Sequence, residues 1–304
     1  MLYGMKDNRD IILEKVKEFE EKYQKKVVFG SMVGSISKGV ERFDSDYDTR
    51  FLYLDKTETG YFRWDQLKED IKESQIHQCY IPEKDDLFYD KIAFWELTSF
   101  INFLRNPQLD GKFSVGLFHI VGWTLNSPYC WDPYGIKSKI VFLLDEMFQK
   151  SYEIQYYRNY ITKCLQRKPC RLREYFYSCY YLIAIQYCLE YNRFPPIYFP
   201  TLLEYCKDDE LKVEIERLKK EYYETSEEMY RQNPAAYKRK MANYITVERN
   251  ETVDKKLINI LDSTKEYECL QKNPKTKDYV EDIIEIIFDS FRPPIVKDVN
   301  ELMD

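Results

Sequence analysis

Histidine and glycine are both scarce in this sequence. His77 and His119 are the only histidines among 304 residues, and glycine occurs 9 times. Two isolated histidines make a poor ligand set, and a lone histidine among apolar residues, such as His119, reads first as structural. Few glycines suit a helix-rich, tightly packed chain. Cysteine is present at 79, 130, 164, 170, 179, 188, 206 and 269, but no two cysteines have the C-x-x-C spacing of a zinc site. Cys179 and Cys188 fall in an apolar helical stretch, where a free thiol acts as a small hydrophobe. The expectation is reduced core thiols in a cytoplasmic protein. The N-terminus has no apolar signal region, and no segment reaches the roughly 20 apolar residues that a membrane helix needs. An intracellular chain with no membrane partner is expected. An excess of positive charge is missing too. With a net charge of -6 the chain is not a general nucleic-acid coat, so any such contact needs a local basic patch.

Acidic and aromatic residues are plentiful. The stretch Val27-Val28-Phe29 leads into Gly30-Ser31, and Ser45-Asp46-Tyr47-Asp48 leads into Phe51-Leu52-Tyr53-Leu54. Read as strand, turn and strand, this sets a Gly-Ser turn beside two carboxylates. Strand side chains alternate, so Asp46 and Asp48 share a face with Cα atoms roughly 6.5 Å apart. Carboxylates that close repel unless a cation lies between them, and Mg²⁺ is commonly held by one or two carboxylates plus substrate phosphates. Each piece alone is common in solvated turns; the ordered combination points to a metal-phosphate site and nucleotidyl transfer.

Along the chain, residues 8–25 read as an amphipathic helix, 26–30 and 46–54 as strands, and 87–94 as a third strand. The small-residue segment 31–39 could open a short helix. The alternation of the third strand groups Asp90 with Phe88, Ile92 and Phe94, so Asp90 is a third metal ligand, an edge carboxylate facing water or a partner of Lys91 or Arg50, with Asp85 and Asp86 the alternatives in another register. Helices are expected at 64–73, 95–104, 113–122, 136–149, 151–166, 171–191, 199–206, 209–230, 253–262 and 278–290. The fold class is α+β. A small mixed sheet with flanking helices fills 1–125, a mainly helical domain fills 126–304, and the ligand cleft lies between them. Lys38 and Arg42 read as a solvated loop, whereas Arg50 shares the face of the Asp pair. Lys168, Arg171 and Arg173 form the densest basic run, next to Tyr175 and Tyr177, a mixture suited to phosphate and base contact.

These residues resemble the DNA polymerase beta-type nucleotidyltransferase superfamily, and within it the YcgL-like, RNA-repair-associated (RlaP) family. The resemblance rests on Ser45-Asp46-Tyr47-Asp48-Thr49-Arg50-Phe51-Leu52-Tyr53 and on Arg171-Leu172-Arg173-Glu174-Tyr175-Phe176-Tyr177. Pro195-Pro196, Phe199-Pro200-Thr201-Leu202-Leu203 and Trp95-Glu96-Leu97 add to it. It implies that Asp46, Asp48 and Asp90 bind two Mg²⁺ ions and carry catalysis. It implies phosphate or nucleotide contacts from Gly30, Ser31, Ser45 and Arg50, and from Lys168, Arg171, Arg173 and Tyr177. The donor would be a nucleoside triphosphate and the acceptor an RNA or tRNA end. A protein side chain or a second nucleotide is the alternative acceptor, and nucleotide binding without turnover is a further alternative.

Overall fold

A computed structural model describes residues 9–42, 45, 48–55, 78–81, 91–97, 122–138, 148–232 and 245–267. Helix α1 (Arg9–Tyr23) enters β1 (Lys25–Met32), which leads into the one-turn helix α2 (Gly34–Ser37) and then β2 (Asp48–Asp55). Strands β3 (Gln78–Ile81), β4 (Lys91–Glu96) and β5 (Cys130–Trp131) follow, with a short helix over 122–126. The remaining described elements are helical: α3 (Lys150–Gln166), α4 (Leu172–Tyr191), α5 (Phe199–Glu204), α6 (Asp209–Gln232) and α7 (Glu251–Ser263). The class is α+β, with one sheet ordered β3-β4-β2-β1-β5. β2 and β4 run parallel, and the other neighbours are antiparallel.

The helices from 150 onward fall where helical spacing predicts them. The sheet differs more. β1 continues through Gly30 and Ser31 to Met32, and β3 and β5 add strands that the sequence did not suggest. Trp95 and Glu96 close β4 instead of opening a helix, and 148–149 are not helical. The expected helices at 64–73 and 278–290 lie outside the described residues.

Alternation in β2 divides the sheet into two faces. Phe51 and Tyr53 turn toward α1 and pack with Ile12, Val16 and Phe19, which helical spacing places on one side of that helix. Phe94 joins them, its ring stacked on Phe19 at 3.7 Å. Asp48, Arg50 and Leu52 alternate onto the opposite face. β1 does not follow simple alternation, because its pairing with β2 shifts by one residue between Val27 and Phe29. Before the bulge Val27 pairs with Tyr53; after it Gly30 pairs with Phe51 and Ser31 with Arg50. Directly paired residues share a face. The bulge therefore turns Gly30 toward α1 and Ser31 away from it.

The second core lies among the helices. α4 is its axis, buried without a break from Tyr175 to Ile185 and packed by α3, α5, α6 and α7. Val40 and Trp123, from the sheet-bearing part of the chain, belong to the same core.

Gly30 is there for packing: a Cβ at that position would overlap the buried Phe51 ring. Gly30→Ala is expected to destabilise the protein by about 1–3 kcal/mol, the range for overpacking a filled core, read as a lowered urea midpoint with an unchanged slope.

Candidate active site

The turn that ends β1 brings the site together. Val33 donates its N–H to the Asp48 carbonyl at 2.8 Å, so the start of β2 is tied to the entry of α2. Gly34 follows with φ of 77°, a conformation open to glycine at little cost. A Cβ at Gly34 would overlap Asp48 Oδ2. The carboxylate thus lies directly on the Gly34 backbone, and the absent side chain is what lets it. Ser37 Oγ closes the helical turn by donating to the Gly34 carbonyl at 3.1 Å.

The Gly-Ser dipeptide at this turn is Gly34-Ser35, not Gly30-Ser31. Gly30 and Ser31 lie inside β1 with β2 on one side and β5 on the other, so they offer no open turn for a phosphate. The signal that distinguishes the two was a second Gly-Ser four residues on. Ser31 still faces the site through its hydroxyl, which is buried and has no hydrogen-bond partner among the described residues. Ser45 Oγ is engaged in a turn, accepting the Arg42 N–H at 2.8 Å.

Arg50 does share the face of Asp48. Its guanidinium lies 5.0 Å from the Trp95 ring centre and donates to Thr124 Oγ1 at 3.4 Å. Asp46 and Asp90 lie outside the described residues. No group of three metal-ligating side chains occurs among the described residues.

Of the basic run, Arg173 and Tyr177 turn inward from α4, with the Arg173 guanidinium 5.6 Å from the Tyr177 ring centre. Lys168 is exposed in the α3–α4 connection, and Arg171 caps α4 and pairs with Glu174 at 3.5 Å. The structure therefore separates Lys168 and Arg171 from Arg173.

Lys38, read from sequence as a loop cation facing solvent, is instead the centre of the junction. Its ammonium lies 4.4 Å from the Trp123 ring centre, 4.9 Å from Tyr177, 5.9 Å from Tyr180 and 5.8 Å from Tyr181. Its carbonyl accepts the Phe199 N–H at 2.7 Å, and Gly39 lies against the Tyr198 ring. Arg42 is buried as well, 4.8 Å from the Tyr222 ring centre. Burial pushes the Lys38 ammonium down to about 7, helped by the charges of Arg173 and Arg50 and opposed by Asp48. Burial pushes the Tyr177, Tyr180 and Tyr181 phenols up, so they are neutral hydroxyls.

Comparison with known proteins agrees with the motif reading. Residues 8–114 match the family model described as RlaP, RNA repair pathway DNA polymerase beta family. The chain is also 28% identical over 214 residues to the uncharacterized protein YcgL of Bacillus subtilis (strain 168), covering 68% of this chain and 74% of that protein. No solved structure gives a significant match. The resemblance to RNA-repair-associated nucleotidyltransferases is borne out over the sheet-bearing part, and no helix among the described residues is long and apolar enough to cross a membrane.

The Lys38 shift makes stability depend on pH. Unfolded, this lysine keeps its proton up to its ordinary value of 10.5; folded, it does so only to about 7. Below the lower value both states are protonated and the folded state bears the whole cost of a buried charge. Between the two values the unfolded chain binds more protons, so stability rises with pH. The melting temperature of the wild type relative to Lys38→Met is expected to climb across that window, and a flat difference would mean that Lys38 stays charged.

Proposed function

We propose that this chain is a nucleotidyltransferase that moves a nucleoside monophosphate from a nucleoside triphosphate to an acceptor hydroxyl. The preferred acceptor is an RNA or tRNA end, in keeping with the description of the matching family. The observation that carries the reading is the Asp48 carboxylate seated on the Gly34 backbone, where the chain enters α2.

The first N–H groups of a helical turn have no partner inside it. Those of Gly34 and Ser35 are left to meet phosphate oxygens beside Asp48, fixed in place before the ligand arrives. Donors arranged in advance stabilise charge that develops on the phosphates, without reorganisation during the reaction. Arg50, over the Trp95 ring and tethered to Thr124, keeps a cation on the same face as Asp48. Carboxylate oxygens suit a hard divalent cation, and Asp48 lies against the Gly34 turn; it fits as one Mg²⁺ ligand, with Asp46 and Asp90 proposed to complete the set. Bound there, Mg²⁺ would lower the acceptor hydroxyl's pKa and offset charge on departing pyrophosphate. An RNA acceptor needs cations of its own, and Lys168, exposed just before α4, is proposed for that contact.

Two outcomes test the reading. With a triphosphate labelled at the α-phosphate, offered to a tRNA pool and to protein acceptors, Asp48→Asn is expected to lose transfer by on the order of 100-fold or more while keeping its circular dichroism spectrum. Full turnover in that variant would sink the site. Gly34→Ala, which pushes against the Asp48 carboxylate, is expected to lower transfer about as far, while costing only about 1 kcal/mol in stability for the left-handed backbone. The acceptor that takes the label decides between RNA and protein.

A further inference from the structure

The proposed transfer reaction uses none of the cysteines. Cys179 and Cys188 lie within the helical core on α4, and Cys206 follows α5. Burial pushes all three thiols up, as expected of cysteines that serve as small hydrophobes. Cys164, buried near the end of α3, departs in the opposite direction. Hydrogen bonding from Cys170 pulls its thiol down, aided by Ser178 and the charge of Arg249 and opposed by burial and Glu174.

Cys170 is held beside it by the backbone. The exposed segment 166–169 separates the two cysteines along the chain, and one further segment, 245–249, grips both sides of that connection. The Cys170 carbonyl accepts the Val247 N–H at 3.1 Å, and Leu172 donates its N–H to the Ile245 carbonyl at 2.8 Å. Arg249 Nη1 donates to the Leu165 carbonyl at 3.0 Å, so the residue after Cys164 is fixed from the same segment. The Cys170 thiol lies within hydrogen-bond reach of the Cys164 sulfur, and its other acceptor is the Arg171 carbonyl at 3.9 Å. The bond to Cys164 pushes the Cys170 thiol up, as do burial and Asp254, against the charge of Arg249. No group of three metal-ligating side chains occurs among the described residues, so these two sulfurs do not form the corner of a metal site.

A pair built this way has one sulfur that gives up its proton readily and one that keeps it. The thiolate is the form that attacks an oxidant, and a neighbouring thiol then resolves the product.

We propose that Cys164 and Cys170 are a redox-sensitive pair, which hydrogen peroxide converts into an intramolecular disulfide joining the end of α3 to the start of α4. The Cys164 thiolate attacks one peroxide oxygen, the O–O bond breaks, and hydroxide leaves to take up the proton that Cys164 lost. Cys164 is then a sulfenic acid. The Cys170 sulfur attacks the Cys164 sulfur, the S–O bond breaks, and the hydroxyl departs with the Cys170 proton as water. Two thiols have given two electrons to one peroxide, and two waters are formed. Peroxide is compact enough to reach buried sulfurs, and a reducing thiol reverses the bond. The pair stands whether or not the chain transfers nucleotides.

The test is peptide mass spectrometry of the full-length protein, reduced, exposed to hydrogen peroxide at neutral pH, quenched in acid and alkylated after unfolding. The peptides bearing Cys164 and Cys170 are expected as one linked species, which dithiothreitol returns to alkylated thiols, while Cys179 and Cys188 take the alkyl label throughout. Cys164→Ser and Cys170→Ser should each abolish the linked species, and Cys206→Ser should leave it unchanged. With dimedone present, Cys164 should be trapped as sulfenic acid in the Cys170→Ser protein, and Cys170 should gain no label in the Cys164→Ser protein. The wild-type linkage needs no variant to fold. Cys164 and Cys170 alkylated as fully after peroxide as before it, or a bond from either to Cys179, would overturn the proposal. Dimedone on Cys170 alone would overturn the assignment of Cys164 as the attacking sulfur.

Discussion

The ammonium of Lys38, enclosed by rings from two parts of the chain, is the contact on which the arrangement of sheet and helices turns. Its side chain reaches under Trp123 and α4, and its carbonyl holds the start of α5 through the Phe199 N–H. Gly39 lets the Tyr198 ring come close, and Val40 and Arg42 continue the contact into the helical core and onto Tyr222. Four positions, 38, 39, 40 and 42, thus carry four kinds of attachment: cation on ring, backbone hydrogen bond, ring on glycine, and apolar burial. The Gly34 turn against which the Asp48 carboxylate lies is four residues upstream, so whatever fixes Lys38 also fixes that turn.

The sheet supplies the other half of the geometry through a single irregularity. A one-residue shift in β1 gives its beginning and its end opposite phases. Val27 then serves the α1 core, Gly30 makes room for Phe51 in the same core, and Ser31 is released to the face of Arg50 and Asp48. Two glycines four residues apart do different jobs as a result. Gly30 yields space to a ring, Gly34 to a carboxylate.

Much of this was legible in the sequence, and what was not had physical causes. The helices from 150 onward follow helical spacing, and Ser45 through Tyr53 marked the strand that carries Asp48 and Arg50 on one face. The sequence pattern places the Gly-Ser turn four residues early, because Val27-Val28-Phe29 followed by glycine looks like a strand ending; a bulge leaves no mark in alternation. Lys38 lies close to the motif in sequence but reads first as a loop cation, since its partners, at 123, 177, 180 and 181, are far away in sequence. Lys168 and Arg171 seemed one group with Arg173, but the start of α4 divides them, with Arg171 at the cap and Arg173 a helical residue facing inward. The contribution of Asp46 and Asp90 belongs to residues outside those described.

α4 has a property that ordinary surface helices lack. Tyr175 to Ile185 are buried on every side, among α3, α5, α6 and α7, while Tyr177, Tyr180 and Tyr181 also form the wall around Lys38. Between Tyr175 and Ile185 the helix has no outer face on which substitutions are free. Every change there is felt by neighbours on all sides, and changes at the tyrosines are felt by Lys38 as well. A replacement between Tyr175 and Ile185 therefore has to be accommodated by its neighbours, a constraint from which the exposed side of α6 is free.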